Sequence, residues 1–266
     1  MAIVTTDNKH YKNIANKIRE KIVETENVFP NEMADKVEEV YQRGMTDGAK
    51  SEYDRFWDNI QENGKQMNYR YTFTNWNDRL FYPKYNLNMG TYSEGTFWGN
   101  RVLDLVERLK ECGVTLDTTS VMDFGSMFAA TYTKHIPVIS TISATRLGNV
   151  FQNSNAVTID KIIFKTDGSQ AISNTFITGC AYLENIIIEG VIGANFNIHE
   201  SPKLTKESIT SIVDALSVTT VNLTLKLSLT AVNNAFETST GLADGSTSQE
   251  WLDLVATKPN WTISLA

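Results

Sequence analysis

The chain has 266 residues, room for one large domain or two modest ones. Its 24 Lys and Arg against 31 Asp and Glu leave a net charge of −7, which excludes a generic nucleic-acid binder with a phosphate-neutralising basic patch. A hydrophobic fraction of 41 % excludes wholesale disorder. The charge is unevenly spread: residues 1–66 carry 23 charged side chains and the other 200 carry 32. The opening MAIVTTDNKH has no basic stretch followed by an apolar run, so no secretory signal is expected. No apolar run approaches the roughly 20 residues of a bilayer span, so no membrane insertion is expected either. Cys112 and Cys180 are too far apart for a metal or redox motif and are expected to be buried free thiols.

In chain order, Ile14, Ile18 and Ile22 recur at helical spacing after Tyr11. Pro30 separates this first helix from a second, marked by Met33, Val37, Val40 and Tyr41 and ended by Gly44. A third carries Tyr53, Phe56, Trp57 and Ile60. Helices this short cannot bury their stripes alone, so Ile14, Ile18, Ile22, Met33, Val37, Phe56, Trp57 and Ile60 are candidate docking or oligomerisation residues. From Tyr69 to Leu87 the chain is aromatic and irregular, with strand-like alternation at Tyr69, Tyr71 and Phe73. Aromatics exposed there would stack on sugar rings; buried, they would cap a core. A helix is expected from Asn100, with Val102, Leu105, Val106 and Leu109 on one face and Gly113 as its stop.

The body is self-similar. An apolar or aromatic residue stands four places before Phe128, Phe151 and Phe176, at Phe124, Leu147 and Ile172. Each Phe is followed by a short strand with two inward apolar residues: Ile136 and Val138, Ile162 and Phe164, Ile186 and Ile188. With Val114 and Leu116 one position earlier, the strand-to-strand steps are 22, 26 and 24 residues, inside the roughly 20–29 residues of a leucine-rich repeat. Phe128, Phe151, Phe176, Ile136, Ile162 and Ile186 are the expected repeat core, with Ile162 beside Ile186, Phe151 beside Phe176, and Lys165 near Glu189. Asp160, falling near Glu184, is expected to point to water. Caps would come from the helix at 100–112, a helix opened by Thr205, and a helix with Trp251 behind a Thr247–Glu250 capping box. Leu223, Leu225 and Leu227 read as an inward strand face, and Trp261 opens a final edge strand. The fold expected is α+β: a helical module over 1–66, then a capped, leucine-rich-repeat-like right-handed solenoid over 67–266.

The Phe-centred units resemble degenerate BspA-type leucine-rich repeats, common in surface and phage proteins of Gram-positive and gut bacteria. The only trace of their Cys-Xaa-Xaa-Leu signature is Cys180-Ala-Tyr-Leu183. The opening IANKIREKIVETENVFPNEMADKVEEV is similar to a short helical module at the start of phage tail and virion structural proteins. The resemblance implies a virion-associated or cell-surface binding protein. It would be a homo-oligomer, with trimers usual for phage fibres, contacting other virion proteins and a host-surface glycan or protein.

No catalytic set converges in the sequence. His10, His135 and His199 lack partners at ligand spacing, and Asp104, Glu107 and Glu111 read as a solvated helix face. No phosphate loop and no nucleophile elbow occurs. The expectation is therefore a non-enzymatic virion structural and host-adhesion protein with no cofactor and no metal. A bacterial cell-surface adhesin is the alternative, and a glycan-cleaving enzyme a distant third.

Overall fold

The computed structural model describes residues 57–58, 66–78, 80–218, 222–237 and 245–266. The chain divides into two compact units, Met1–Asn59 and Ile60–Ala266, a division ahead of the boundary expected at 66. Ile14, Ile18, Ile22, Met33, Val37, Phe56 and Ile60 lie outside the described residues, while Trp57 is described and buried.

The second unit is built on stacked turns around phenylalanine. Phe73, Phe97, Phe128 and Phe151 each sit two residues after one left-handed residue and two before another: Tyr71 and Asn75, Gly95 and Gly99, Ser126 and Ala130, Asn149 and Asn153. Two left-handed residues four apart fold the backbone tightly around the ring between them and turn its amides toward the neighbouring turn. Gly95, Phe97 and Gly99 donate to the carbonyls of Gly125, Met127 and Ala129 at 2.8–2.9 Å, and Ser126, Phe128 and Ala130 donate to Gly148, Val150 and Gln152. The rings follow the backbones. Phe97 lies parallel to Phe128 at 5.1 Å, Phe128 to Phe151 at 5.6 Å, and Phe151 meets Phe176 edge-on at 5.4 Å. Phe128, Phe151, Phe176, Ile136, Ile162 and Ile186 are all buried.

Around these turns are short parallel strands and four α-helices among the described residues. β1 (Leu87–Asn88) pairs with β2 (Leu116–Asp117). β3 (His135–Ile136) and β4 (Ile139–Ser140) pair with one edge of β5 (Thr158–Ile163), and β6 (Asn185–Glu189) with its other edge. β7 (Phe196–Asn197), β8 (Leu223–Leu227) and β9 (Trp261–Leu265) form a third sheet in that order. The helices are α1 (Leu105–Glu111), α2 (Lys206–Asp214), α3 (Leu229–Ala235) and α4 (Gln249–Ala256). Each begins at a side chain that accepts a first-turn amide, respectively Asp104, Thr205, Ser228 and Ser248. α2 then buries Ile209, Ile212 and Val213, and Lys258 Nζ closes its far end on the carbonyls of Asp214 and Leu216 at 2.8 and 2.7 Å.

This architecture corrects the expected leucine-rich-repeat-like solenoid. The described residues form a mixed α+β unit with three separate small parallel sheets and no closed barrel. The separation has a local cause. The free edge of β6 faces helix α2 instead of another strand: the amides of Ile186 and Ile188 donate to the hydroxyls of Ser208 and Ser211, each at 2.9 Å. Residues three apart on a helix share a face, so two serines satisfy two successive edge amides and the sheet stops there.

The register differs too. Ile159, not Ile162, lies beside Ile186, and Ile162 pairs with Ile188, because β5 carries a bulge between Ile159 and Ile162. The extra residue leaves Asp160 and Lys161 facing opposite neighbours. Lys161, not Lys165, reaches Glu189 at 2.7 Å, and Asp160, its side chain still partly open to water, accepts from His135 Nε2 at 2.6 Å. Val138 is exposed while Ile139 turns inward. Tyr69–Phe73 is a turn, not a strand. α1 opens at Asp104, four residues after Asn100, and Ser248 replaces Thr247 as the cap of α4. Gly190 ends β6 at φ +88°, where any Cβ would overlap the Phe164 carbonyl.

Candidate binding face

A strand that alternates small buried residues with large exposed ones lays its long side chains on one surface. The segment Thr131-Tyr-Thr-Lys134 does this. Thr131 and Thr133 are buried, the Thr131 hydroxyl donating to the Asn100 carbonyl at 3.1 Å, so Tyr132 and Lys134 project outward. Neighbouring segments bring matching residues alongside. The Tyr132 amide donates to the Asn100 carbonyl at 2.7 Å, which sets Arg101 beside it, and the Asn155 amide donates to Thr131 at 2.9 Å. One step further, the chain from Cys180 to Leu183 buries its end residues and exposes Tyr182, and Lys203 stands exposed just before buried Leu204.

The result is a row of alternating cations and rings. The Arg101 guanidinium lies 5.6 Å from the centre of the Tyr132 ring. Lys134 Nζ and Lys203 Nζ both stand over Tyr182, at 5.0 and 5.3 Å, and the Asn155 carbonyl lies 3.4 Å from Lys134 Nζ. Tyr132 and Tyr182 are 49 % and 48 % exposed, so about half of each ring stays open to solvent. Among the described residues no carboxylate pairs with Arg101, Lys134 or Lys203. The nearest acids are engaged elsewhere or marginal. Asp104 caps α1 and lies 3.7 Å from His135 Nδ1. Asp160 holds the other His135 nitrogen, Glu200 accepts the Gly179 amide at 2.7 Å, and Glu184 borders the row one pairing step beyond Val157.

Elsewhere Tyr71, Tyr92 and Trp98 are exposed as well. An open groove of about 640 Å³ runs between β6 and α2, lined by Ile188, Gly190, Lys206, Thr210, Ser211 and Asp214. A cleft of about 240 Å³ lies at Asn174, Asn195, Asn197 and Lys226. His199 turns back on Asn197 Oδ1 at 2.6 Å, and His10 lies outside the described residues. Glu107 pairs with Lys110 and Glu111 with Arg108 along α1. Among the described residues no group of three His, Cys, Asp or Glu is placed to hold a metal ion, and no helix is long and apolar enough to cross a membrane.

The two thiols differ. Cys180 is buried with Sγ 3.0 Å from the Phe151 carbonyl, and burial pushes its pKa up to about 12. Cys112 is half-buried, contrary to expectation, and burial raises its pKa as well. Titration of the folded protein with a thiol reagent at neutral pH is therefore expected to modify Cys112 alone, with Cys180 reacting only after denaturant is added. Equal rates in the folded protein would contradict this packing.

The aromatic stretch 69–87, the sequence-level candidate for sugar stacking, is split between core and surface. Tyr69, Phe73 and Phe81 are buried, the Arg108 guanidinium covers exposed Tyr82 at 4.0 Å, and the Tyr71 hydroxyl donates to Glu94 at 3.1 Å. The row Arg101, Tyr132, Lys134, Tyr182 and Lys203 was not singled out by the sequence, although the Thr-Tyr-Thr-Lys alternation is a signal that finds two of its five residues, Tyr132 and Lys134. Comparison with protein-family models, with curated proteins and with solved structures finds no match to this chain.

Proposed function

We propose that this chain is a non-catalytic structural and adhesion protein of a bacteriophage particle. The first 66 residues attach it to other virion proteins or assemble it into a homo-oligomer, a trimer by analogy with phage fibres. The remainder presents a recognition face to the host surface. The observation that carries the binding half of this reading is the exposed row of tyrosines and cations. Tyr132 and Tyr182 keep about half their surface exposed beside three cations that have no carboxylate partner among the described residues, and exposed rings and cations are groups that recognition uses. The opening segment's resemblance to a virion module supports the attachment half.

Immunogold electron microscopy of particles released by the strain that encodes the chain tests the proposal. Antibody to the full chain is expected to decorate the particle's host-facing end. Undecorated particles, with label confined to the bacterial wall, would replace the virion role with that of a cell-surface adhesin.

A further inference from the structure

We infer that the row formed by Arg101, Tyr132, Lys134, Tyr182 and Lys203 is a binding subsite for an acidic polysaccharide, one bearing carboxylate or sulfate groups. This deepens the adhesive reading above and rests on it.

Three properties of the face select that ligand class. The first is its charge. Residues 67–266 hold 14 Lys and Arg against 18 Asp and Glu, and three of those cations stand along one row with no carboxylate partner among the described residues, which leaves their charge available to an anionic group. A guanidinium and two ammonium groups suit carboxylate or sulfate oxygens. The second is the pair of platforms. Lys134 connects the two tyrosines: it stands two residues after Tyr132, and its Nζ lies 3.4 Å from the Asn155 carbonyl and 5.0 Å from the centre of the Tyr182 ring. The exposed half of each tyrosine is ring surface against which the C–H face of a pyranose can lie beside the cations, and Asn155 next to Lys134 supplies an amide for sugar hydroxyls. The third is shape. The row lies on an exposed surface, with Tyr132 and Tyr182 about half exposed, and such a surface takes a chain laid along it.

The cations and rings act together. Arg101 and Lys203 stand at the two ends, while Lys134 reaches past Asn155 toward Tyr182. An acidic group bound near Lys134 therefore has a ring within reach for its own sugar. Salt weakens the charge contribution and leaves the stacking contribution, so binding persists at reduced strength as ionic strength rises.

The test is binding of the full chain to immobilised alginate (a polyuronate), dextran sulfate, uncharged dextran and polyglutamate. The expected result is retention on alginate or dextran sulfate and none on dextran. Tyr182→Ala is expected to weaken retention roughly tenfold, the change that about 1.4 kcal/mol produces, and Lys134→Ala with Lys203→Ala at least as much. Tyr182→Phe, which keeps the ring, should bind as the unmodified chain does. Thermal melting of each variant verifies folding, which substitution of half-exposed side chains should leave intact. Equal binding to polyglutamate with no loss in Tyr182→Ala would reduce the row to simple ion exchange and overturn the proposal. Binding to dextran alone, or to none of the four, would overturn it as well. If the chain adheres to host cells but these variants adhere equally, the row is wrong and the adhesive role stands; if the unmodified chain neither adheres nor decorates particles, the adhesive role falls.

Discussion

Phe151→Ala is expected to lower the stability of the second unit by about 3–5 kcal/mol, the cost of emptying a fully buried aromatic position. Phe151 has no exposed surface and lies within 5.6 Å of the Phe128 ring and 5.4 Å of the Phe176 ring. Removing it takes away two ring contacts, which are worth more than their buried area alone, and opens a void in a row whose backbone is tied on both sides. The Phe151 amide donates to the Phe176 carbonyl at 2.9 Å, and the Phe128 amide to Val150 at 2.8 Å, so the turns cannot easily close around the gap. For a domain of this size such a loss corresponds to a fall in Tm of roughly 6–20 °C. Phe151→Leu should cost much less, since most of the volume remains. Calorimetry of both variants gives the answer; a loss below about 1 kcal/mol for the alanine would mean that the ring row is not the centre of the core.

The second large effect is expected from Ser208→Ala combined with Ser211→Ala. Each serine removes the edge amide of one β6 residue from solvent, Ile186 and Ile188 respectively, and the Ser208 hydroxyl also donates to the Glu184 carbonyl at 3.0 Å. A buried amide left without an acceptor costs about 1–3 kcal/mol, so the pair should cost about 2–6 kcal/mol. The signature is local. Hydrogen exchange at the Ile186 and Ile188 amides should quicken more than at the β5 amides, and the uncapped edge should favour self-association. Ser208→Thr, which keeps a hydroxyl, separates the hydrogen bond from the packing. Unchanged exchange at both isoleucines in the double variant would show that α2 does not terminate this sheet through its hydroxyls.

Some of this was legible because it is written locally. The helix behind Thr205 announces itself by a capping side chain and by apolar residues at helical spacing, and α2 has that cap and that face. Leu225 and Leu227 alternate with polar residues as a half-buried strand must, and both are buried in β8. The phenylalanines at 128, 151 and 176 stand out because a large ring at a recurring offset has nowhere to go but the interior. The other errors share one origin. Period and offset say which residues turn inward, not which strand lies beside which. A single extra residue in β5 moved Ile162 from Ile186 to Ile188 and exchanged Lys165 for Lys161 as the partner of Glu189. In the same way a count of repeat lengths does not reveal that two serines on a helix can take the place of a strand.

By itself, then, the sequence determined the uneven charge of the chain, the aromatic and aliphatic residues that must be buried, and the capped helix and strand near the C-terminus. Those follow from hydrophobic periodicity and capping chemistry, which act within a few residues. Only the tertiary structure decided the sheet boundaries, the bulged register and the gathering of Arg101, Tyr132, Lys134, Tyr182 and Lys203 into one row. These depend on hydrogen bonds between segments more than 20 residues apart, and the identity of such partners is not encoded in any local pattern of the chain.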